Sequence, residues 1–393
     1  MDNQKLLVKN IEVYAENNNI EEGFIKIINN KIEEINSLDR LESEDGYHVF
    51  DFSNTKVKAI PGLIDVHIHG ANGADVMDGT PEALKVMATA LPQEGTTSFL
   101  ATTMTQSNDN IEKAITNVAS YINHQPKGQA EIIGIHLEGP FIHKDRKGAQ
   151  PVEYIKDPNI SVFKKWNRLA NQHIRLVTLA PELPGGLEFI QHLKKHGIIA
   201  SAGHTNATAQ EITIAIDHGL SHITHLYNQM RGFHHREPGV VGSAWLHDQL
   251  MVEIIADGIH STSDAVNTAY QLKGNEKMLL ITDAMRAKCL QDGNYELGGQ
   301  KVIVENQKAT LEDGTLAGST LKLGDAVKNI INFTNCSLEE AISMASSNAA
   351  KELGIDDKKG TLATGKDADI VLLNENNDII LTICRGEIAY KGE

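Results

Sequence analysis

The hydrophobic pattern of this chain changes near residue 59 and again near residue 360. Before the first change, apolar residues fall in short runs bounded by polar turns. Leu6–Tyr14 is one such run, and Phe24–Ile28 passes through Asn29-Asn30 into Lys31–Ile35. Two such runs joined by a two-residue asparagine turn predict a β-hairpin. From Ala59 onward, short apolar runs alternate with longer helix-period stretches, roughly every thirty to forty residues. The runs are Ile60–Val66, Thr97–Ala101, Ile132–Leu137, Ile174–Leu179, Ile198–Ala202, Ser221–Thr224, Met251–Ile255 and Met278–Ile281. Pro81–Glu94 and Asn108–Asn123, lying between them, have the length and apolar spacing of helices.

Eight βα units predict a TIM-like (β/α)8 barrel, for which roughly 250 residues suffice. An open doubly wound sheet would call for a G-x-G-x-x-G turn after its first strand, and the sequence has none there. A polar, glycine-containing stretch, Arg286–Gly318, follows the eighth run. Two helical segments come next, Leu321–Thr334 and Leu338–Leu353, and then the β-like runs Asp369–Leu373 and Ile379–Cys384. The expected organisation is a barrel over residues 59–358 and a small β-sandwich domain built from both chain ends, 1–58 and 359–393.

Composition narrows the function classes. Lys and Arg number 36 against 52 Asp and Glu, a formal net charge of −16. Such a chain has no general attraction for nucleic acid or an anionic membrane, so neither is expected as a partner. No apolar run approaches the roughly 20 residues that span a bilayer. The first residues lack the apolar core and small-residue cleavage site of a secretory signal. Cys289, Cys336 and Cys384 are too scattered for a disulfide framework or a thiolate metal knot. The expectation is a soluble, cytoplasmic protein.

Histidine is the informative residue, with 17 in the chain. Several sit at the downstream ends of predicted strands, the barrel face where active sites assemble. The first run ends in Asp65-Val-His67-Ile-His69-Gly70, the third in His136-Leu-Glu138-Gly-Pro140, the fifth in Ala202-Gly-His204 and the sixth in Thr224-His225. His67 and His69, two apart on a strand, point to one side. Taken singly, Glu138 also reads as a solvated strand end, and His204 and His225 as hydrogen-bonded structural histidines. Taken together, the five form a nitrogen- and oxygen-rich set of the kind that holds zinc, iron or manganese. His124, His143, His173, His192, His196, His218, His222 and His247 are expected to be ordinary surface residues. Asp283, after the eighth run, reads either as a helix N-cap or as a carboxylate that takes a proton from an attacking water and returns it to a leaving nitrogen.

At these residues the chain resembles the amidohydrolase superfamily, and within it the family of N-acetylglucosamine-6-phosphate deacetylases. The resemblance rests on Pro61-Gly-Leu-Ile-Asp-Val-His67-Ile-His69-Gly, His136-Leu-Glu138-Gly-Pro-Phe, Ala202-Gly-His204-Thr and Thr224-His225-Leu-Tyr-Asn228. It continues through Arg236-Glu-Pro-Gly, Ala256-Asp-Gly-Ile-His260, Thr282-Asp283-Ala and Leu316-Ala-Gly-Ser319, in family order over most of the chain. It implies that Glu138, His204 and His225 hold one divalent metal, with His67 and His69 allowing a second. The ion would be Zn, Fe, Mn or Co. It further implies that Asp283 is the catalytic acid and base. Arg236, Asn228 and the backbone of Gln229 would hold a sugar phosphate, with Gln150, His260, Leu316, Ala317 and Gly318 contacting substrate. Gln150 stands where other members carry a histidine, and Gln229 replaces a small residue.

The implied activity is hydrolysis of the acetamide of N-acetylglucosamine 6-phosphate, a small-molecule phosphorylated amino sugar. The implied assembly is a homodimer, because in this family the arginine reaches across a subunit interface. Two other readings stay open: an amidohydrolase of a cyclic amide, an adenine or an N-acyl amino acid, and a catalytically silent barrel scaffold. The basic loop Arg231–Arg236 weighs against the first, and the full set of ligand residues against the second.

Overall fold

The computed structural model describes residues 5–392. Met1–Gln4 and Glu393, the outermost residues of the expected end domain, lie outside the described residues. The architecture is an α/β barrel with a separate β domain made from the chain ends. Its eight parallel strands, hydrogen-bonded in chain order, are Leu63–Ile68, Thr96–Thr103, Glu131–Glu138, Ile174–Leu179, Ile199–Ala202, His222–Ile223, Met251–Ile254 and Met278–Leu280. Each falls within or over one of the eight apolar runs. The intervening helices begin where the sequence supplies caps. The Thr80 side chain accepts the Ala83 N–H ahead of Pro81, and Thr208 and Glu211 form a reciprocal capping box.

The seam between the first and eighth strands is closed just past the end of the eighth. The Asp283 N–H donates to His67 O at 2.8 Å, and the N–H groups of His69 and Gly70 both donate to Ala284 O at 2.9 Å. Below them, the Asp65 carboxylate accepts the Thr282 hydroxyl at 2.6 Å and the Thr282 N–H at 3.3 Å. Closing the barrel therefore also places Asp283 beside His67.

Lys288 stands behind this seam, fully buried, with Nζ 2.6 Å from Glu94 Oε1 and 4.0 Å from Asp65 Oδ2. Burial pushes the Glu94 and Asp65 carboxyls upward, and the Lys288 ammonium pulls them back. Lys288→Met would strand two buried carboxylates without a counter-charge. It is expected to cost about 3–5 kcal/mol, seen as a lower urea midpoint. The double variant Lys288→Met/Glu94→Gln should recover part of that loss, and a single variant with the wild-type midpoint would remove the brace.

The first apolar run divides at Gly62. Lys58–Pro61 pairs with Lys5–Tyr14 and Ile370–Leu373 in the end domain, while Leu63 begins the barrel. A Cβ on Gly62 would run into the Thr97 side chain, so this crossing between sheets needs glycine. The end domain is one continuous eight-stranded sheet whose halves share an apolar core of Leu6, Val8, Ile25, Ile370 and Ile383 among others. The expected hairpin is present, with strands Asn19–Ile28 and Lys31–Ser37 turning at Asn29, φ +58°.

Arg286–Gly318 is more structured than its polar composition suggests. It carries a three-stranded antiparallel sheet, Gly293–Leu297, Gln300–Glu305 and Lys308–Thr310. Val302 and Val304 point inward onto Met104, Met285 and Leu297, while Lys301 and Glu305 face out. Ile303, exposed between the two buried valines, breaks the polar alternation that would mark this strand. No helix among the described residues is long and apolar enough to cross a membrane.

Candidate metal centre and active site

The strand ends converge. Glu138 closes the third strand, and its carboxylate meets four imidazoles. Oε1 lies 3.2 Å from His204 Nε2, 3.3 Å from His225 Nε2 and 3.4 Å from His67 Nε2, and Oε2 lies 3.2 Å from His69 Nε2. Asp283 Oδ1 stands 3.2 Å from His69 Nε2 and 3.4 Å from His67 Nε2. No helix follows Asp283, so the N-cap reading is replaced by this contact with the imidazoles. His204, His225 and Asp283 have φ of +49°, +31° and +47°. Side chains avoid this left-handed region, and residues held there concentrate at functional sites. Gly203 lets the fifth strand approach the sixth, because a Cβ would lie 2.6 Å from Thr224 Cβ.

Two overlapping groups, His67–His69–Glu138 and Glu138–His204–His225, each have ligand atoms within 4.8 Å of one another, and Glu138 belongs to both. The fit to a cation follows from the tautomers. His204 Nδ1 faces the Arg146 carbonyl at 2.8 Å, and His67 Nδ1 faces Glu253 Oε2 at 2.9 Å. Those partners only accept, so both Nδ1 atoms carry the proton. The Nε2 lone pairs of the neutral rings then point at Glu138 oxygens, and His204 Nε2 also lies 3.1 Å from His225 Nε2. Lone pairs facing lone pairs at these distances are reconciled by a cation between them.

Without a cation, the buried carboxylates are balanced instead by protons drawn onto the imidazoles. Burial acts to lower His69, yet Asp283 and Glu138 push it up to about 9. Burial would raise Glu138, but the imidazoles, His67 foremost, hold it well below the usual carboxylate range. Burial likewise opposes the ionised form of Asp283, which His67 and His69 keep low.

A cavity of about 280 Å³ opens over this cluster. Of the residues expected to contact substrate, Gln150, Asn228, Gln229, His260, Leu316 and Gly318 line it. His67 is fully buried beneath, and Ala317 packs into the core of the three-stranded insert. Gln150 donates to Glu138 Oε2 at 2.6 Å and accepts the Thr105 N–H at 2.8 Å, so its amide is held against the carboxylate. Asp257 accepts His260 Nδ1–H at 2.7 Å, which leaves Nε2 for a ligand. Arg236 stands apart. It is exposed, does not line the cavity, and rests Nη1 2.8 Å from His235 Nε2.

Sequence reasoning missed Met104, Leu297 and Thr315, which also line the cavity. It also missed Glu253, whose signal was available as a charge inside the apolar run Met251–Ile255. His222, expected at the surface, is fully buried and bonded to Glu253. It opens the sixth strand, and a buried carboxylate on the neighbouring strand receives it.

The chain's likeness to known proteins covers almost its whole length. It is 47% identical over 389 residues to the N-acetylglucosamine-6-phosphate deacetylase of Bacillus subtilis, covering 98% of each chain. The crystal structure of the enzyme of that name from Thermotoga maritima superposes with a TM-score of 0.87 at 33% identity, over 98% of this chain and 100% of that one. An aspartate-to-alanine mutant of the Mycobacterium smegmatis enzyme, in complex with N-acetyl-D-glucosamine-6-phosphate, superposes with a TM-score of 0.91 at 26% identity, over 99% and 100%. The sequence profile of the amidohydrolase family matches residues 59–389, and the chain belongs to that family.

Proposed function

We propose that this protein hydrolyses the acetamide of N-acetyl-D-glucosamine 6-phosphate to D-glucosamine 6-phosphate and acetate, in amino-sugar breakdown. The observation that carries the reading is the Asp283 carboxylate 3.2 Å from His69 Nε2 in a cavity that Glu138, His204 and His225 also line. The relatives' shared activity agrees with it. One or two divalent cations per subunit, of Zn, Fe, Mn or Co type, would be held by Glu138, His204 and His225 and by His67 and His69. Such a cation supplies Lewis acidity for the acetyl carbonyl and for the attacking water. Asp283 accepts the proton of that water and returns it to the departing amine. Gln150 holds Glu138 in place, and His260, fixed by Asp257, contacts the sugar. A phosphorylated sugar does not cross membranes unaided, which supports a cytoplasmic site of action. Acetate release from N-acetylglucosamine 6-phosphate, assayed across added metals, tests the proposal; no release with any metal would overturn it.

The phosphate would be held by Asn228, the Gln229 backbone and Arg236, whose planar donor fork matches phosphate oxygens. Arg236 lies outside the cavity of its own chain, which supports a homodimer in which it serves the neighbouring site. Phe233, on the same loop, is 55% exposed and packs against Trp245 with ring centroids 5.3 Å apart, and adjacent Leu246 is 71% exposed. An apolar patch of this kind suits a second copy. Arg236→Ala should raise KM for the phosphorylated sugar by about 10–100-fold, as losing a charged hydrogen bond implies. KM for unphosphorylated N-acetylglucosamine should hardly move, and equal changes for both sugars would count against a phosphate clamp.

A further inference from the structure

Glu253 is the only charged residue of the buried seventh strand, Met251–Ile254. Oε2 accepts His67 Nδ1–H at 2.9 Å and the His225 backbone N–H at 3.1 Å. Oε1 accepts His222 Nε2–H at 3.2 Å. His222 is in turn held from below, its Nδ1 3.4 Å from Glu352 Oε1. The His136 ring packs edge-on against the His67 ring, with centroids 4.5 Å apart, and is itself tied to Thr178 Oγ1 at 2.7 Å. His67 is thus clamped both in its plane and at its far nitrogen. His225 is clamped through its backbone, where φ is +31°.

We propose that Glu253 is a positioning residue of the metal centre: through one oxygen it fixes the tautomer and direction of His67 and the backbone of His225, presenting both rings to Glu138. The inference rests on the metal-dependent reading above. Two candidate ligands from strands far apart in the chain share this one acceptor. A carboxylate partner also makes the imidazole a stronger donor at Nε2, and removing such outer partners typically weakens metal binding by about 10–100-fold. A buried carboxylate with a purely structural role would lower stability when replaced but leave metal affinity unchanged. The two roles therefore separate.

The test uses the full chain stripped of metal and titrated with Zn²⁺ against a chromophoric chelator, alongside melting of the metal-free protein. In Glu253→Gln the amide oxygen can still face His67 and His225 while its NH2 donates to His222 Nε2, the His222 proton moving to Nδ1 toward Glu352, so geometry is kept and charge is lost. Its affinity is expected to fall about 10-fold, and that of Glu253→Ala about 100-fold. Both variants binding Zn²⁺ as the wild type does, whatever their melting temperatures, would overturn the proposal. Should Glu253→Ala not fold, Glu253→Gln decides alone, and unchanged affinity overturns it. Wild-type protein that fails to bind Zn²⁺ would overturn the metal-dependent reading itself. Wild-type binding with unaltered variants would remove only the positioning role.

Discussion

Asp283→Asn is expected to keep its metal and lose turnover by about 10²–10⁴-fold, the usual contribution of a positioned general acid and base. The substitution preserves shape and leaves an oxygen able to face His69 Nε2 and His67 Nε2, which lie 3.2 and 3.4 Å from Oδ1. It removes the ability to accept the proton of the attacking water and hand it to the amine. The loss should therefore appear in kcat, with KM little changed, because the proton transfers it removes are made in the transition state and not in substrate binding. The backbone constraint survives as well, since the Asp283 N–H to His67 O bond does not involve the side chain. The measurement is steady-state acetate release together with metal analysis of the same preparation. Turnover within a few-fold of wild type would take Asp283 out of the mechanism. Lost turnover accompanied by lost metal would make it a ligand instead.

Glu138→Ala should have the second large effect, acting through the metal centre as a whole. One carboxylate lies within 3.2–3.4 Å of all four imidazole Nε2 atoms and belongs to both candidate ligand groups. Removing it leaves His67, His69, His204 and His225 without their shared anion. Metal affinity should fall by more than the roughly 10–100-fold that losing an outer partner costs, and activity should fall with it. Glu138→Gln, which keeps one oxygen but no charge, should lie between. Chelator competition reads the binding directly, and wild-type affinity in Glu138→Ala would show that the strand-three carboxylate holds no metal. Gln150, which donates to Glu138 Oε2, gives a graded control because its loss leaves the carboxylate in place.

Much of this site was legible along the chain because barrels put the ends of their strands on one face. Once eight apolar runs were counted, His67, His69, Glu138, His204, His225 and Asp283 marked themselves by following them. His222 and Glu253 were not legible in the same way. A histidine at the start of a two-residue strand carries no local sign of burial, and a lone glutamate in an apolar run reads as an exception until its partners are seen. The insert at Gly293–Thr310 was hidden for a related reason, since Ile303 faces outward between its buried valines and breaks the polar alternation of the strand.

By itself the amino-acid sequence determined the βα rhythm, the hairpin at Asn29-Asn30, the chemical types waiting at each strand end, and a net charge of −16 that disfavours nucleic acid. These are local or additive properties, set by side-chain periodicity and by counting. Only the tertiary structure decided which of the 17 histidines meet, that Thr282–Ala284 close the barrel against the first strand, and that Glu253 stands behind both His67 and His225. It also decided that Arg236 lies outside its own chain's cavity. Convergence depends on strand register, on closure of the barrel and on left-handed backbone at His204, His225 and Asp283. No hydrophobic pattern encodes those, because they arise from contacts between residues far apart in the chain.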